Sequence, residues 1–233
     1  LLFYLTDRGR HPGGGKNDLR LTSRMLRIAL PLAFSAYARS ALSTLEHLLV
    51  PRGLKSAGFS ADRALSGYGT IQGMVMPIIS FPACFLMALS ELMIPELTEA
   101  QMRGERAEIS RTVRSLLKKG SGYSLAVALA IFIFADRLGI AVYSSPEAGH
   151  FLRLLAPLIP IMYTDMLCDG CLKGLGQQMW NMGINVLDAL LGVLLVWRVL
   201  PVYALTGYIC IIYFNECLNF ALSMLRLRKV IRS

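Results

Sequence analysis

The sequence predicts an all-α membrane protein built as a bundle of six transmembrane helices, and three observations support this. Hydrophobic residues make up 55% of the 233 residues and charged residues only 17%, whereas soluble domains carry about 25% charged residues. Most of the charge lies in short stretches between long apolar runs. Each run approaches or exceeds the ~20 residues that cross about 30 Å of hydrocarbon as a helix.

The apolar runs define the predicted spans and the boundaries around them. The spans cover about 24–50, 64–94, 116–135, 150–172, 178–199 and 203–225. Together they form one predicted transmembrane unit over 24–229. We expect residues 1–23 to be the end of a preceding span followed by a flexible cytoplasmic linker, and 230–233 to be a cytoplasmic tail.

Prolines inside three of the predicted spans indicate bends, because a proline removes a helical hydrogen bond and crowds the preceding turn. These prolines are Pro31 in the first span, Pro77 and Pro82 in the second, and Pro157 and Pro160 in the fourth. Neighbouring helices and waters satisfy the freed carbonyls, so such bends are compatible with crossing a membrane.

Basic residues are distributed unevenly among the predicted connections. They gather before the first span, between the second and third, at the end of the fourth, and after the sixth. The remaining connections contain Arg52, Lys55, Arg63, Arg137, Arg153 and Arg198. Since Lys and Arg favour cytoplasmic loops, both ends of the covered chain are predicted to be cytoplasmic. The same rule accounts for the net charge of +9, so no nucleic-acid partner is predicted.

The five cysteines do not predict a disulfide framework, because they are odd in number and lie in or beside apolar runs. Cys168 and Cys171 form a single C-x-x-C at the end of the fourth span, without a second Cys/His pair nearby. We expect them to pack between helices, and we predict no metal site. Hydrolase and metalloprotease motifs are absent and the three histidines are scattered, so no enzyme activity is predicted.

The first span contains the most informative polar residues. Ser35, Arg39, Ser43 and Glu46 follow one another at i, i+4, i+8 and i+11, which places them on one face of a helix. Arg39 lies near the predicted midplane, where a charge facing lipid is costly. The stripe therefore indicates either a water-filled cavity, which we favour, or a structural ion pair between Arg39 and Glu46.

Two later spans carry milder polar faces. Asn181, Asn185 and Asp188 share a face of the fifth span, and Glu216, Asn219 and Ser223 share a face of the sixth. Asn181 and Ser223 are typical of polar contacts between membrane helices. We take Asn185, Asp188, Glu216 and Asn219 as candidates to line the same cavity as the first span. Gln72, Glu91, Asp165 and Asp169 are weaker candidates, the last three because they fall near the predicted cytoplasmic interface.

Four short motifs carry a family resemblance. The stretches 48–58, Tyr68–Met74, Pro95–Ala100 and Gly170–Gln177 resemble, in the same order, segments of the stage V sporulation protein B-like flippases. The likeness extends over about 24–229. This family is part of the multidrug/oligosaccharidyl-lipid/polysaccharide exporter superfamily, whose members resemble the MATE fold.

The resemblance implies one six-helix lobe of a two-lobed MATE-like transporter, here the C-terminal lobe. It implies transport of undecaprenyl-linked sugar or peptidoglycan precursors across the cytoplasmic membrane by alternating access with a missing N-terminal lobe. In that case Arg39 would contact the pyrophosphate or sugar headgroup. Glu46, Asp188 and Glu216 would shape the cavity or carry a coupling cation, a proton or sodium, with no other cofactor. A lobe of a MATE-type multidrug/cation antiporter and a non-transporting membrane scaffold are the alternatives.

Overall fold

The computed structural model describes residues 16–56, 58 and 61–232, and nearly all of them are helical, with no strand in this part of the chain. The helices are α1 (Lys16–Ser56), α2 (Ala61–Thr70), α3 (Met76–Arg103), α4 (Arg106–Tyr143), α5 (Pro146–Leu155), α6 (Ile159–Gly174) and α7 (Gln178–Arg232). A π-helical turn at Ile71–Val75 joins α2 to α3, and a 3-10 turn at Ala156–Leu158 joins α5 to α6.

The outside of the bundle is apolar, as expected for a chain surrounded by lipid. Phe81 is 81% exposed, Leu92 70% and Ile133 65%, whereas Asp165 is only 6% exposed. Within the described residues, four helical stretches are long and apolar enough to cross a membrane: Ser66–Arg103, Arg106–Tyr143, Pro146–Gly174 and Gln178–Ile231. The chain is therefore a multi-pass membrane protein, while the count of six spans stays a prediction.

The helix α7 contains both the fifth and the sixth predicted spans. It is interrupted at Ala204, whose φ of 52° and ψ of −134° are not helical, three positions after Pro201. Proline cannot donate a helical hydrogen bond, so it weakens the helix at this point. We call 178–203 the first leg and 205–232 the second leg of α7.

Contacts of the two legs show that they run antiparallel as a hairpin. The Ser223 hydroxyl of the second leg donates to Asp169 at 3.4 Å, and Asn181 of the first leg lies beside the same carboxylate. In one straight helix these two residues would be roughly 60 Å apart. Next to them, the Arg226 guanidinium stacks over the Trp180 ring at 4.7 Å. The fifth and sixth predicted spans are thus two separate helical segments that face each other.

The predicted bounds at the two ends of the chain stay predictions, and part of each end lies outside the described residues. Residues 1–15 of the predicted stub and linker, and Ser233 of the tail, lie outside the described residues. Residues 16–23 of the predicted linker are helical and continuous with the rest of α1, in agreement with the absence of Gly and Pro between Lys16 and Leu30. At the other end, residues 230–232 of the predicted tail are helical and continuous with α7.

The proline bends are observed at two of the predicted places. The π-helical turn ends at Val75, directly before α3, which carries Pro77 in its first turn. Pro157 lies inside the 3-10 turn between α5 and α6. Both irregularities therefore coincide with the loss of a backbone donor.

The helix α6 forms the centre of the core. Tyr163, Leu167 and Leu172 are almost fully buried, and the Tyr163 hydroxyl donates to the Ile79 carbonyl of α3 at 2.5 Å. Cys168 and Cys171 are buried, unpaired thiols in the same core, which confirms their predicted packing role. By contrast, Gly69 and Gly73 make no close contact with another described segment, since nothing beyond their own helix backbone lies within 4 Å of a Cβ built on either glycine.

Glycine is required where α4 meets α5. A Cβ on Gly149 would lie 2.8 Å from the Cα of Asp136, a backbone atom that cannot move aside like a side chain. We expect Gly149→Ala to lower stability by about 1–3 kcal/mol, measured as a fall in Tm of the purified protein in detergent. Gly122→Ala is the control, because nothing described lies within 4 Å there, and it should be neutral or slightly stabilising. Equal Tm values for the two variants would contradict the close approach.

Candidate functional site

The polar stripe of the first predicted span lies on one continuous helix, α1. Ser35, Arg39 and Ser43 border a cavity of about 420 Å³, together with Met182 and Asn185 of the first leg. We call this the α1 cavity. The Ser35 hydroxyl donates to the Pro31 carbonyl of its own helix at 2.9 Å, so its donor is already used. The Asn185 amide donates to Asn181 at 2.9 Å, so the unused donors of this cavity, among the described residues, are those of Arg39, Ser40 and Ser43.

A second cavity, of about 330 Å³, lies between α3, α6 and both legs of α7, and we call it the central cavity. Arg39 and Asn185 line both cavities and connect them. The predicted residues Glu216 and Asn219 also line the central cavity. The charged residues around it are Arg39, Glu91, Asp165, Asp169, Lys173 and Glu216.

Asp165 and Asp169 are the main residues that sequence reasoning underestimated. They were weaker candidates because they fall near the predicted cytoplasmic interface, which stays a prediction, and the structure places both on the wall of the central cavity. Asp165 accepts a hydrogen bond of 3.1 Å from the Asn219 amide of the second leg, and Asp169 accepts one of 3.4 Å from the Ser223 hydroxyl. The i, i+4, i+8 spacing of Asp165, Asp169 and Lys173 is the same signal as in the first span, and it could have identified them.

Several buried acceptor oxygens have no donor among the described residues, and two of them belong to Asp165 and Asn219 of this cavity. They are the Oδ1 atoms of Asp165, Asp188, Asn215 and Asn219. Buried polar atoms in proteins are almost always paired, because a lost hydrogen bond to water is costly. Oxygens of this kind accept hydrogen bonds from water or substrate hydroxyls, or ligate a cation. Even so, no group of three or more His, Cys, Asp or Glu residues in the described part has the arrangement of a metal site.

Arg39 is exposed, and no carboxylate of the described residues lies within 4 Å of it. Its positive charge nevertheless acts electrostatically on Asp169, Asp188 and Glu216. A direct ion pair between Arg39 and Glu46, which the sequence left open, is not observed. The guanidinium is therefore held near acidic groups while its N–H donors stay available.

Glu46 and Asp188 were predicted to line the cavity, but neither borders the α1 cavity or the central cavity. The Glu46 carboxylate instead faces the first leg, with Oε2 lying 3.3 Å from the position of a Cβ built on Gly192. Glu46 and Asp188 also influence each other electrostatically. Because Gly192 has no side chain, α1 and the first leg pack closely enough to place these acids between the helices.

Gln72, a weak candidate, also lies away from the two cavities. Its amide donates to the Tyr208 hydroxyl at 2.6 Å, and the nearby His47 ring is hydrogen-bonded to the Tyr68 hydroxyl. Tyr68 and Tyr208 pack edge to face with ring centroids 5.6 Å apart. These groups satisfy one another, so they stabilise helix contacts and do not add to the candidate site.

Comparison with known proteins gives one family match and two related proteins. The family model described as MatE matches residues 56–197. The sporulation protein YkvU of Bacillus subtilis (strain 168) is 28% identical over 153 residues, which cover 66% of this chain and 34% of that protein. Stage V sporulation protein B of the same organism is 24% identical over 183 residues, which cover 77% of this chain and 34% of that protein.

The aligned parts thus make up about a third of the length of these curated relatives. No solved structure matches this chain. The match over 56–197 includes α2 to α6 and most of the first leg, and so contains Asp165, Asp169, Asn185 and Asp188.

Proposed function

This chain belongs to the MatE family, and from that premise we propose that it moves lipid-linked sugar precursors across the cytoplasmic membrane as part of a MATE-like exporter. The observation that carries the proposal is Arg39, a guanidinium at the junction of two polar cavities inside an apolar helical bundle. Membership of the family supports membrane transport, and Arg39 supports the proposed class of substrate.

An arginine in this position suits an anionic pyrophosphate. The planar guanidinium presents paired N–H donors that match two phosphate oxygens at once. Its donors are not taken by a carboxylate of the described residues. Meanwhile Ser43, Asn185 and Asn219 offer neutral hydrogen-bonding groups for sugar hydroxyls around the two cavities.

We further propose that the chain forms one lobe of six crossings that works with a second lobe by alternating access. The crossings would be α1, α2 with α3, α4, α5 with α6, and the two legs of α7. The support is the hairpin at Ala204, together with the 41 residues of α1, which are about 60 Å long as a helix. From the uneven distribution of basic residues, we place both ends of the covered chain on the cytoplasmic side. Since the two relatives are named for sporulation, we assign the transport step to sporulation or cell-wall assembly.

Asp165 and Asn219 are our candidates for binding the coupling cation, a proton or sodium. Asp165 is 6% exposed, is hydrogen-bonded to Asn219, and each side chain keeps one Oδ1 without a donor in the described part of the chain. A proton or a small cation would satisfy these oxygens, and Asp169 and Glu216 add negative charge nearby.

A MATE-type multidrug/cation antiporter is the second candidate, and the charge of the central cavity favours it. Four carboxylates, those of Glu91, Asp165, Asp169 and Glu216, face two basic groups, Arg39 and Lys173. An excess of acidic groups is suited to organic cations. Arg39 argues against this function, because it would repel a cationic substrate from the junction of the cavities.

The two functions are separated by one reconstitution experiment. The complete protein would be incorporated into liposomes that contain either a fluorescent lipid-linked disaccharide pyrophosphate or a fluorescent cationic dye. We expect translocation of the lipid-linked sugar, measured by loss of fluorescence after adding a membrane-impermeant quencher, and no efflux of the dye. Protein-free liposomes are the control. Dye efflux without translocation of the lipid would favour the antiporter and contradict our proposal.

A further inference from the structure

A groove on the outer side of the bundle, between α4 and the second leg, has no part in the transport cavities. It has a volume of about 520 Å³. Arg114 and Lys118 of α4 and Arg228 of the second leg surround its polar end, and Leu117, Met224 and Leu227 contribute apolar surface. We call it the basic groove.

The basic groove faces away from the central cavity. The cavity is lined by residues of α1, α3, α6 and α7, and by none of α4. The helix α6 lies between them: the Thr164 hydroxyl contacts the Ser121 hydroxyl of α4 at 3.4 Å, while the next residue, Asp165, lines the cavity. A ligand of the basic groove would therefore reach it from the lipid side of this chain.

The positive charges around the basic groove favour binding of an anion. Arg111, Arg114 and Lys118 are spaced i, i+3 and i+7, so they share one face of α4, and Arg228 lies across the groove from that face. No carboxylate in the described part of the chain lies within 4 Å of Arg114, Lys118 or Arg228. Like charges that converge on one groove repel each other unless an anion lies between them. The positive-inside rule requires basic residues in these connections but not their convergence on a single groove.

We propose that the basic groove binds the phosphate headgroup of an anionic phospholipid, with an acyl chain lying along its apolar residues. Grooves between membrane helices that have basic residues at the headgroup level are typical lipid sites. Leu227 is 1% exposed and forms part of the floor, while Leu117 and Met224 are half-buried beside it. The apolar part suits a lipid better than free phosphate, because phosphate gains nothing from apolar contact.

The test compares two double variants of the complete protein that have the same net charge. Lys118→Gln with Arg228→Gln removes two groove charges. Lys119→Gln with Lys229→Gln removes two exposed charges at neighbouring positions on the same helices, outside the groove. Native mass spectrometry in detergent would measure binding of dioleoylphosphatidylglycerol, with dioleoylphosphatidylcholine as the neutral lipid. The first variant should bind the anionic lipid roughly thirtyfold more weakly, and the second should bind nearly as the wild type.

Further experiments distinguish an anionic lipid from other possible ligands of the basic groove. Millimolar inorganic phosphate should not displace the lipid, and displacement would show that free phosphate is the ligand. If both double variants lose lipid binding equally, the binding comes from general surface charge and not from the basic groove. If the wild type binds both lipids equally, the groove does not recognise an anionic headgroup. A photocrosslinker at Ser110 should capture lipid in the complete protein, whereas capture of another segment of the protein would show that the groove is a protein contact. If the first variant is unstable, Lys118→Arg with Arg228→Lys must retain binding, and its loss would overturn the proposal.

Discussion

Arg39→Ala is expected to reduce translocation of a lipid-linked pyrophosphate by roughly a hundredfold or more, because removing one partner of a desolvated charge pair costs about 2–5 kcal/mol. Membrane insertion should be unchanged or improved, since a charge at membrane depth has been removed. Arg39→Lys should keep partial activity, because an ammonium retains the charge but not the paired donors. The measurement is the rate of translocation in liposomes, normalised to the amount of folded protein.

The control for this prediction is Arg52→Ala, which removes an exposed arginine from the same helix outside both cavities. It should leave translocation within about twofold of the wild type, as expected for a surface charge. Two double variants test whether Arg39 only balances nearby acids. Restored translocation in Arg39→Ala with Glu46→Ala, or in Arg39→Ala with Asp188→Asn, would show a structural charge pair and contradict the headgroup role.

Asp165→Asn is expected to abolish the response of transport to an imposed proton or sodium gradient. The change keeps the shape of the side chain and leaves an oxygen that can accept from Asn219, but it removes the charge that would hold a cation. Stability should be unchanged or higher, because the charges of Asp169 and Glu216 act unfavourably on that of Asp165. The measurements are gradient-driven translocation in liposomes and Tm in detergent.

Asp136→Asn is the matched control for this second variant. Asp136 is an exposed acid on α4 that pairs with Arg153 at 2.6 Å, outside both cavities. It should leave the response to the gradient intact. If Asp165→Asn also responds normally while transport continues, the cation-binding role of Asp165 is wrong, and the oxygens near it serve a structural purpose.

Much of the candidate site follows from helical spacing alone. Residues four apart lie on one face of a helix. It could therefore be predicted without a structure that Ser35, Arg39 and Ser43 line the same cavity. The same spacing placed Glu216 and Asn219 together. The spacing also relates Asp165 to Asp169, but in the sequence they are weaker candidates because they lie near the end of an apolar run, and the cavity beside them is known only from the structure. Hydropathy is an average over a segment. A carboxylate therefore contributes the same value whether it is buried between helices or exposed at an interface.

The sequence by itself determined that the chain is helical and embedded in a membrane, because apolar length and helical periodicity are local properties of the chain. It also predicts that Arg39 faces a water-filled cavity and not lipid. Only the tertiary structure decided that the last two predicted spans form a hairpin at Ala204, which brings Asn219 against Asp165. Likewise, only packing placed Glu46 against Gly192 and away from the cavities. Contacts between distant segments depend on the relative rotation of packed helices, and that rotation is fixed by the whole core, centred on α6.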